Sequence, residues 1–298
     1  MIIITGATGF VGEEVVKQAR AAGHPVRVIV RDPRRASWLA ERYGVELFHG
    51  NVLYAPSIEG AMQDAKCVIH LVGIIREWKE NTFERVHVQA TKHVIDEAKK
   101  AGVKRFVHMS ALGTRENARS RYQQTKWAGE DCVRKSGLAW TIFRPSFIYG
   151  PKDKAINTLA KLVQRLPFVP VLGGGNTKIQ PISVANVARA FVGAIRNDES
   201  ISRVYDLCGP EAFTWNELYD KLQMILGTRK PKWHLPLPIA RVQAALFEKI
   251  LPNPPFTRDQ LLMLQEDNVG DPKPAERDFV LEQEGFEDGV ARYLKRKV

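Results

Sequence analysis

The feature that most constrains this chain is a glycine-rich turn near its beginning, Thr5-Gly-Ala-Thr-Gly-Phe-Val-Gly12. The turn follows a short β-branched run and precedes a helical pattern, which is the context that a dinucleotide-binding turn requires. Gly6 permits the tight turn, Gly9 lets the backbone approach a pyrophosphate, and Gly12 lets the helix pack closely on the sheet. The helix also offers free N–H groups and a positive dipole end. We therefore expect a bound pyrophosphate, the alternative being a structural turn without a ligand.

Short apolar runs alternate with helical patterns over the first half of the chain. The strand-like runs are residues 2–5, 26–30, 45–48, 67–72, 106–109 and 140–143, and the longest helical patterns are 83–101 and 122–135. Such alternation indicates a parallel sheet that is covered on both faces. We therefore predict an α/β fold, a Rossmann-type doubly wound parallel sheet with a smaller C-terminal lobe.

The pattern changes after residue 150, because prolines cluster between residues 231 and 255 and separate the helical stretches. Residues 204–207 form one more apolar run, which we expect to return to the sheet. The sequence thus predicts an NAD(P)-binding Rossmann domain over residues 1–149 and a smaller mixed lobe over residues 150–298. The lobe would cover the cleft at the carboxyl ends of the strands, with any substrate between the two units.

Composition restricts the class of protein. The chain has 298 residues, of which 44% are hydrophobic and 26% charged, so intrinsic disorder is excluded. The formal charge of +11 favours an anionic ligand or surface. The three cysteines are far apart and form no CxxC pair, which indicates buried thiols in a reducing compartment.

No segment reaches the ~18 apolar residues of a membrane span, and no signal peptide is recognised, so we expect a cytoplasmic protein, either free or peripheral to a membrane complex.

The end of the second predicted strand bears on the choice of nucleotide. NAD-specific folds carry an acidic residue there, which binds the ribose 2′-hydroxyl. Here the strand is followed by Arg31, a cation that suits a 2′-phosphate. Arg34 and Arg35 fit either the same role or a solvated surface, and Asp32 lies one position beyond Arg31. We therefore predict that Arg31 and Arg35 bind NADP(H), with NAD(H) as the alternative cofactor.

Tyr122 and Lys126 are four residues apart in a helical pattern, so they lie on one face of the helix. A lysine ammonium beside a phenol stabilises the phenolate and lowers the pKa of the tyrosine. The pair then serves as proton donor and acceptor for carbonyl and alcohol chemistry. We predict that both residues are catalytic, with Lys126 also holding the ribose of the nicotinamide.

Taken together, these motifs resemble the extended or atypical short-chain dehydrogenases/reductases, which include the NAD(P)-dependent epimerase/dehydratase-like proteins. The resemblance covers essentially the whole chain and runs in order through residues 5–12, 103–110, 122–126, 143–151, 182–188 and 205–210. The segment 254–268, PPFTRDQLLMLQEDN, is similar to the subgroup that contains the nucleotide-binding accessory subunit of respiratory complex I. This narrower resemblance implies a membrane-bound respiratory complex as a partner.

The resemblance also implies which residues bind the cofactor. Most of them lie in the glycine turn or at the carboxyl ends of strands. They are Gly6, Thr8, Gly9, Phe10, Val11 and Gly12 around the pyrophosphate, Asn51 and Val52 beside the adenine, Leu71, Val72 and Gly73 past the fourth strand, Ser110 at the end of the fifth, Lys126 at the ribose, and Pro145, Ser146, Phe147 and Ile148 over the nicotinamide.

Two positions depart from the family pattern. Active members carry a serine or threonine two residues after the serine that ends the fifth strand, where it binds the substrate carbonyl, and here that position is Leu112. Leucine neither donates nor accepts a hydrogen bond, so Ser110 or Thr114 would have to substitute. His87 stands where the family often has asparagine. Because such a donor often contributes several kcal/mol to catalysis, we predict low or specialised turnover.

Two functions remain open from the sequence. In the first, the protein is an NADP(H)-binding reductase of a carbonyl or quinone-type small molecule, whose identity the sequence does not reveal. In the second, the nucleotide is structural or sensory, and the protein is an accessory or assembly protein of a complex I-type assembly. The Tyr122–Lys126 pair favours the first, whereas Leu112 and the C-terminal resemblance favour the second.

Three other features are less decisive. The basic residues are dispersed and show no nucleic-acid-binding signature, so we expect no direct nucleic-acid binding. The histidines have no metal-binding spacing, so we expect no metal site.

Residues 238–252 carry apolar side chains at helical spacing. The preferred interpretation is a helix that faces the core of its own lobe, and the alternative is one that docks on a lipid surface or a membrane-bound partner.

Overall fold

The computed structural model describes residues 1–251 and 254–295 of the chain. Their strands are β1 (Ile2–Thr5), β2 (Val26–Val30), β3 (Glu46–His49), β4 (Cys67–His70), β5 (Arg105–Met109), β6 (Ala139–Pro145), β7 (Ile148–Tyr149), β8 (Val169–Leu172), β9 (Lys178–Ile179), β10 (Ile182–Ser183), β11 (Arg203–Leu207), β12 (Phe213–Thr214) and β13 (Lys232–Leu235). Their α-helices are α1 (Phe10–Ala21), α2 (Pro33–Tyr43), α3 (Ala90–Lys100), α4 (Arg121–Arg134), α5 (Ala155–Arg165), α6 (Val184–Gly193), α7 (Trp215–Ile225), α8 (Leu237–Ile250), α9 (Arg258–Met263), α10 (Lys273–Phe279) and α11 (Phe286–Leu294).

A seven-stranded sheet forms the centre of the molecule, in the order β11-β6-β5-β4-β1-β2-β3. All neighbouring strands in it run parallel. From β1 the chain proceeds outward to β3 on one side, and from β4 it proceeds outward on the other, so the order reverses between β1 and β4. This arrangement confirms the predicted Rossmann-type doubly wound sheet. In such sheets ligands bind in the crevice at the reversal point.

Alternating side chains along each strand supply a core on each face of the sheet. On β1, Ile2 and Ile4 face the layer that contains α1 and α6, whereas Ile3 faces the layer that contains α3 and α4. Both layers are formed by aliphatic and aromatic side chains that are almost completely buried. Burial on both faces explains why the strands appear in the sequence as continuous apolar runs rather than as alternating ones.

Two predicted elements differ from their observed forms. The apolar run 67–72 leaves the sheet at His70, because Leu71 and the following peptide instead back the glycine turn, where a Cβ on Gly6 would lie 3.1 Å from the Leu71 carbonyl carbon. The predicted helix 83–101 begins with a π-helical turn, Glu84–Gln89, before it continues as α3. Such π-turns recur at functional sites.

Part of the chain beyond residue 150 belongs to the central sheet and its layers. The strand β11 pairs with β6, so the expected return of residues 204–207 to the sheet is confirmed. Helix α6 contributes Val187 and Phe191 to the core that contains α1. Helices α5, α7 and α11 surround a separate core, and β13, α8 and α9 contribute to another. The division between residues 1–149 and 150–298 stays a prediction, and residues 252, 253 and 296–298 of its second unit lie outside the described residues.

Candidate functional site

The glycine turn forms a compact cradle between β1 and α1. Gly6 adopts a φ of +78°, a conformation that favours glycine, and its carbonyl oxygen accepts a hydrogen bond of 3.0 Å from the Gly9 amide. A Cβ on Gly12 would overlap the Gly6 carbonyl oxygen, so only glycine lets α1 begin this close to the turn. Helix α1 starts at Phe10 with no side-chain cap, and Thr8 and Gly9 are exposed. The first-turn amides of α1 therefore fit a pyrophosphate.

The residue that follows β2 is an arginine and not an acid. Arg31 follows Val30 directly and is exposed. Asp32 is occupied as the N-cap of α2, where its Oδ1 accepts hydrogen bonds from the amides of Arg34 at 3.0 Å and Arg35 at 3.2 Å. Its other oxygen lies 3.5 Å from Nε of Arg35, whose guanidinium is otherwise exposed. Asp32, the acidic residue next to Arg31 in the sequence, thus has a structural role as the cap of α2.

Lys126 joins three elements at the carboxyl edge of the sheet. Its ammonium donates a hydrogen bond of 2.9 Å to the carbonyl oxygen of Met109 at the end of β5. A Cβ on Gly73, just past β4, would lie 2.9 Å from Nζ of Lys126, so glycine leaves room for this side chain. Burial lowers the pKa of Lys126 to about 8, against the opposing effect of Glu130. The predicted residues Leu71, Val72, Gly73 and Lys126 are thus placed together beside the glycine turn.

Tyr122 lies one helical turn before Lys126, on the buried face of α4. Its ring packs edge-to-face against Phe83 at 5.8 Å and His87 at 5.4 Å between centroids. Burial and the negative charge of Asp259 raise the pKa of Tyr122 to about 12. The predicted lowering of this pKa is therefore wrong, because the Lys126 ammonium binds the Met109 carbonyl oxygen and desolvation of the phenol prevails. In the described part of the chain, no group hydrogen-bonds the Tyr122 hydroxyl, so a protonated phenol is available to a substrate.

His87 has a structural role, at the position where the short-chain dehydrogenases/reductases that this chain resembles often have asparagine. Its Nδ1 lies 2.9 Å from the hydroxyl of Thr125 on α4, and its Nε2 lies 3.0 Å from the carbonyl oxygen of Ile74. Burial, assisted by the charge of Lys126, lowers the pKa of His87 to about 2, so the ring is neutral. The side chain thereby fastens the loop after β4 to the helix that carries Tyr122.

The loop after β5 supplies hydroxyl groups in spite of Leu112. The Leu112 side chain is buried, and its amide donates a hydrogen bond of 2.9 Å to the Pro145 carbonyl oxygen, so this position cannot bind a carbonyl through its side chain. The hydroxyls of Ser110 and Thr114 lie 3.5 Å apart, and both residues are buried. The loop therefore brings together the two residues that could replace the missing hydroxyl.

A C-terminal segment braces this site from residues distant in the sequence. We call residues 254–268 the C-terminal brace. Its Asp259 accepts hydrogen bonds from the amides of Arg121 at 2.7 Å and Tyr122 at 3.2 Å and from the Ser120 hydroxyl at 2.7 Å. The carboxylate thus lies at the N-terminus of α4, where the helix dipole favours a negative charge. Asp259 is not among the predicted site residues, although it lies in the segment that resembles the complex I subunit subgroup.

Asn268 and Glu266 connect the same brace to two loops of the site. Oδ1 of Asn268 accepts a hydrogen bond of 2.7 Å from the Ser146 hydroxyl, and its Nδ2 lies 3.5 Å from the Leu112 carbonyl oxygen. Glu266 forms an ion pair with Arg115 at 2.8 Å. Ser146 is therefore held in place by the brace.

The other predicted cofactor residues occupy varied positions. Asn51 and Val52 lie shortly after β3, where Oδ1 of Asn51 accepts a hydrogen bond of 3.1 Å from the Leu53 amide and Val52 is buried. The Phe147 ring packs edge-to-face on Trp215 at 5.7 Å, toward the core around α7. Their roles at a nucleotide stay predictions, as do those of the neighbouring Pro145 and Ile148.

Comparison with known proteins agrees with this geometry. Residues 6–198 match a protein-family model described as NAD(P)H-binding. The chain belongs to this NAD(P)H-binding family. The match includes the glycine turn, the end of β2 and the Tyr122–Lys126 pair.

Relatives of this NAD(P)H-binding protein have diverse names. It is 32% identical, over 89% of its own length and 70% of the relative's, to "NADH dehydrogenase [ubiquinone] 1 alpha subcomplex subunit 9, mitochondrial" of Arabidopsis thaliana. It is 30% identical, over 83% and 77% of the two lengths, to a ceramide reductase of Caulobacter vibrioides. An NADPH-dependent quinone oxidoreductase of Escherichia coli, solved with NADPH, shares the fold with a TM-score of 0.79 at 21% identity, over 99% and 100% of the two chains.

The described residues contain neither a metal-binding cluster nor a membrane-spanning helix. Among residues 1–251 and 254–295, no group of three or more His, Cys, Asp or Glu residues is arranged to hold a metal ion. Over the same residues, no helix combines the length and the apolar character needed to cross a membrane.

Proposed function

We propose that this NAD(P)H-binding protein is an NADPH-dependent reductase of a small carbonyl or quinone-type compound. The observation that carries the proposal is the convergence of the glycine turn, the Lys126 ammonium and the buried Tyr122 phenol at the reversal point of the sheet. Arg31 favours NADPH over NADH, because the neighbouring Asp32 is occupied as a helix cap. The names of the ceramide reductase and the quinone oxidoreductase support this class of substrate.

The residues of the site fit the nucleotide and have distinct roles. The α1 amides bind the pyrophosphate, Arg31 binds the 2′-phosphate, and Lys126 donates a hydrogen bond to the ribose of the nicotinamide. When bound, NADPH supplies a hydride to the carbonyl carbon. Tyr122 donates its phenolic proton to the carbonyl oxygen, and the Ser110 and Thr114 hydroxyls orient that oxygen. The raised pKa of Tyr122 means that the phenol gives up its proton only as the carbonyl oxygen becomes basic.

The replacement of Tyr122 by phenylalanine tests this proposal. We expect turnover of NADPH with a panel of ketones and quinones to fall about 100-fold or more, the usual contribution of a positioned proton donor. The dissociation constant for NADPH should stay within about twofold, because the hydroxyl contributes no pyrophosphate or ribose contact.

Two variants serve as controls for this experiment. Tyr54→Phe removes a phenol from an exposed tyrosine and should leave turnover unchanged. Gly9→Val should abolish nucleotide binding, since its Cβ would crowd the Gly6 carbonyl oxygen at 3.2 Å and cover the pyrophosphate cradle. Full turnover by Tyr122→Phe would refute the catalytic role.

A second function is favoured by Leu112 and by the complex I relatives. Here the bound nucleotide would stabilise the protein, which would act as an accessory or assembly protein of a respiratory complex, peripheral to the membrane on its cytoplasmic side. Under this function, Tyr122→Phe has no effect, whereas Gly9→Val loses both the nucleotide and the assembly. Gentle solubilisation of host membranes followed by native electrophoresis distinguishes the two functions. Migration of the tagged protein with a large respiratory complex supports the second, and migration as a free monomer or small oligomer supports the first.

A further inference from the structure

Helix α8 places its small residues inward and its large apolar residues outward. Ala240 and Ala244 are completely buried against Leu261 of α9. The opposite face carries an apolar stripe made of four side chains at helical spacing. They are Ile239, Val242, Leu246 and Ile250, with exposed fractions of 50%, 72%, 54% and 65%. The preferred prediction, that the apolar face of this segment packs on the core of its own lobe, is therefore wrong.

The stripe is long and continuous enough to be a binding surface. It extends over eleven intervals of helix, about 16 Å at 1.5 Å per residue. Single exposed apolar residues are common on protein surfaces, but a contiguous apolar row on one helix marks an interaction site. The small buried side chains explain why α8 turns this face inward, since alanines allow α8 to approach α9 closely. The larger apolar side chains then lie on the exposed face of the helix.

The charges around the stripe are mainly positive. Lys249 borders it three residues after Leu246, is exposed, and has no anionic partner among the described residues. Arg241 is exposed and donates a hydrogen bond of 3.1 Å to the neutral amide of Gln265. The one acidic side chain of α8, Glu248, is paired with Arg258 at 2.7 Å. An occupant of this surface therefore meets an apolar row with cationic neighbours.

We propose that α8 docks in the plane of an anionic lipid surface, with the stripe of Ile239, Val242, Leu246 and Ile250 in the boundary between headgroups and acyl chains. A helix that combines an apolar face with basic neighbours binds membranes in this way. The alternative occupant, a second copy of the chain, would present the same cationic neighbours to the first, and each copy carries a net charge of +11. An anionic bilayer neutralises the same charges.

Flotation of the full-length protein with lipid vesicles tests the proposal. We expect the wild-type protein to float with vesicles of phosphatidylcholine and phosphatidylglycerol, and to float less with pure phosphatidylcholine or at high salt, which screens the charges. Val242→Glu should lower the partition coefficient at least tenfold, because it places a carboxylate in the apolar row. Arg241→Gln combined with Lys249→Gln should also lower it, by about 30-fold, which corresponds to about 1 kcal/mol for each of the two basic residues.

The matched control is Met224→Glu, which places the same charge at another exposed apolar residue, on α7, with an exposed fraction of 61%. It should float as the wild type does, and the Val242→Glu variant should keep the wild-type melting temperature. Failure of the wild type to float with anionic vesicles, or equal flotation of Val242→Glu, overturns the proposal. Sedimentation without lipid gives an independent check, since a wild-type dimer that Val242→Glu converts to a monomer would assign the stripe to self-association instead.

Discussion

The surroundings of Tyr122 disfavour the phenolate and raise the pKa of the phenol above its ordinary value. It is buried against two rings, and the carboxylate of Asp259 adds a repulsive charge. The sequence predicts the pair of Tyr122 and Lys126 from their spacing but predicts the wrong sign for the tyrosine pKa. That sign depends on desolvation and on a carboxylate 137 residues away along the chain, and neither is visible in a local pattern.

Lys126 should give nucleotide binding a dependence on pH. Its pKa is lowered to about 8 in the structure, so the ammonium loses its proton as the pH rises through that value. Only the protonated form is positively charged and a strong donor to a ribose hydroxyl, so the affinity for NADPH should be nearly full at about pH 7 and fall as the pH rises through about 8. We expect a loss of about tenfold between about pH 7 and pH 9.5, in line with a hydrogen bond to a charged group.

Fluorescence titration with NADPH across this pH range measures the effect. The Lys126→Met variant is the control, and it should bind NADPH weakly and with little dependence on pH. A flat profile in the wild type would show that Lys126 does not contact the nucleotide.

Helix α4 is fixed at its N-terminus by a residue from another part of the chain. Ser120, the residue just before α4, caps the helix with its own side chain. Asp259 of the C-terminal brace accepts hydrogen bonds from the first two amides of α4. The bounds of α4 could be predicted from its own sequence, because capping and apolar spacing are local. Its contact with the brace could not, since nothing in residues 254–268 indicates which helix end they meet.

Replacement of Asp259 should affect both the stability of the protein and the pKa of Tyr122. Asp259→Ala should lower the free energy of unfolding by about 1–2 kcal/mol, the usual contribution of a helix cap with buried partners. Asp259→Asn keeps an acceptor but removes the charge, so the pKa of Tyr122 should fall from its raised value. Denaturant unfolding measures the first effect, and ultraviolet titration of the tyrosines, with Tyr122→Phe as the reference, measures the second.

The control for Asp259 is Asp96→Ala, which removes an exposed carboxylate from the middle of α3 and should change stability by less than about 0.5 kcal/mol. Equal stability of Asp259→Ala and the wild type would show that the brace does not hold α4. An unchanged Tyr122 pKa in Asp259→Asn would show that burial alone raises it.

At the scale of the whole molecule, the site and the proposed lipid surface are connected through the brace. Helix α8 packs on α9, and Asp259 of α9 binds the start of the helix that carries Tyr122. The overall fold could be predicted because the glycine turn and the buried strands leave strong local patterns. The outward face of α8 could not, because apolar spacing shows that a helix has one apolar side but does not show whether that side turns inward.

The central claim is that the crevice at the reversal point binds NADPH, selected by Arg31. Titration of the wild type and of Arg31→Asp with NADPH and with NADH tests it most directly. We predict that the wild type prefers NADPH, and that Arg31→Asp weakens NADPH binding about 10- to 100-fold, through loss of a charged hydrogen bond and added repulsion, while NADH binding is kept or strengthened. Equal affinities of the wild type for both nucleotides, or an unchanged preference in Arg31→Asp, would contradict the account.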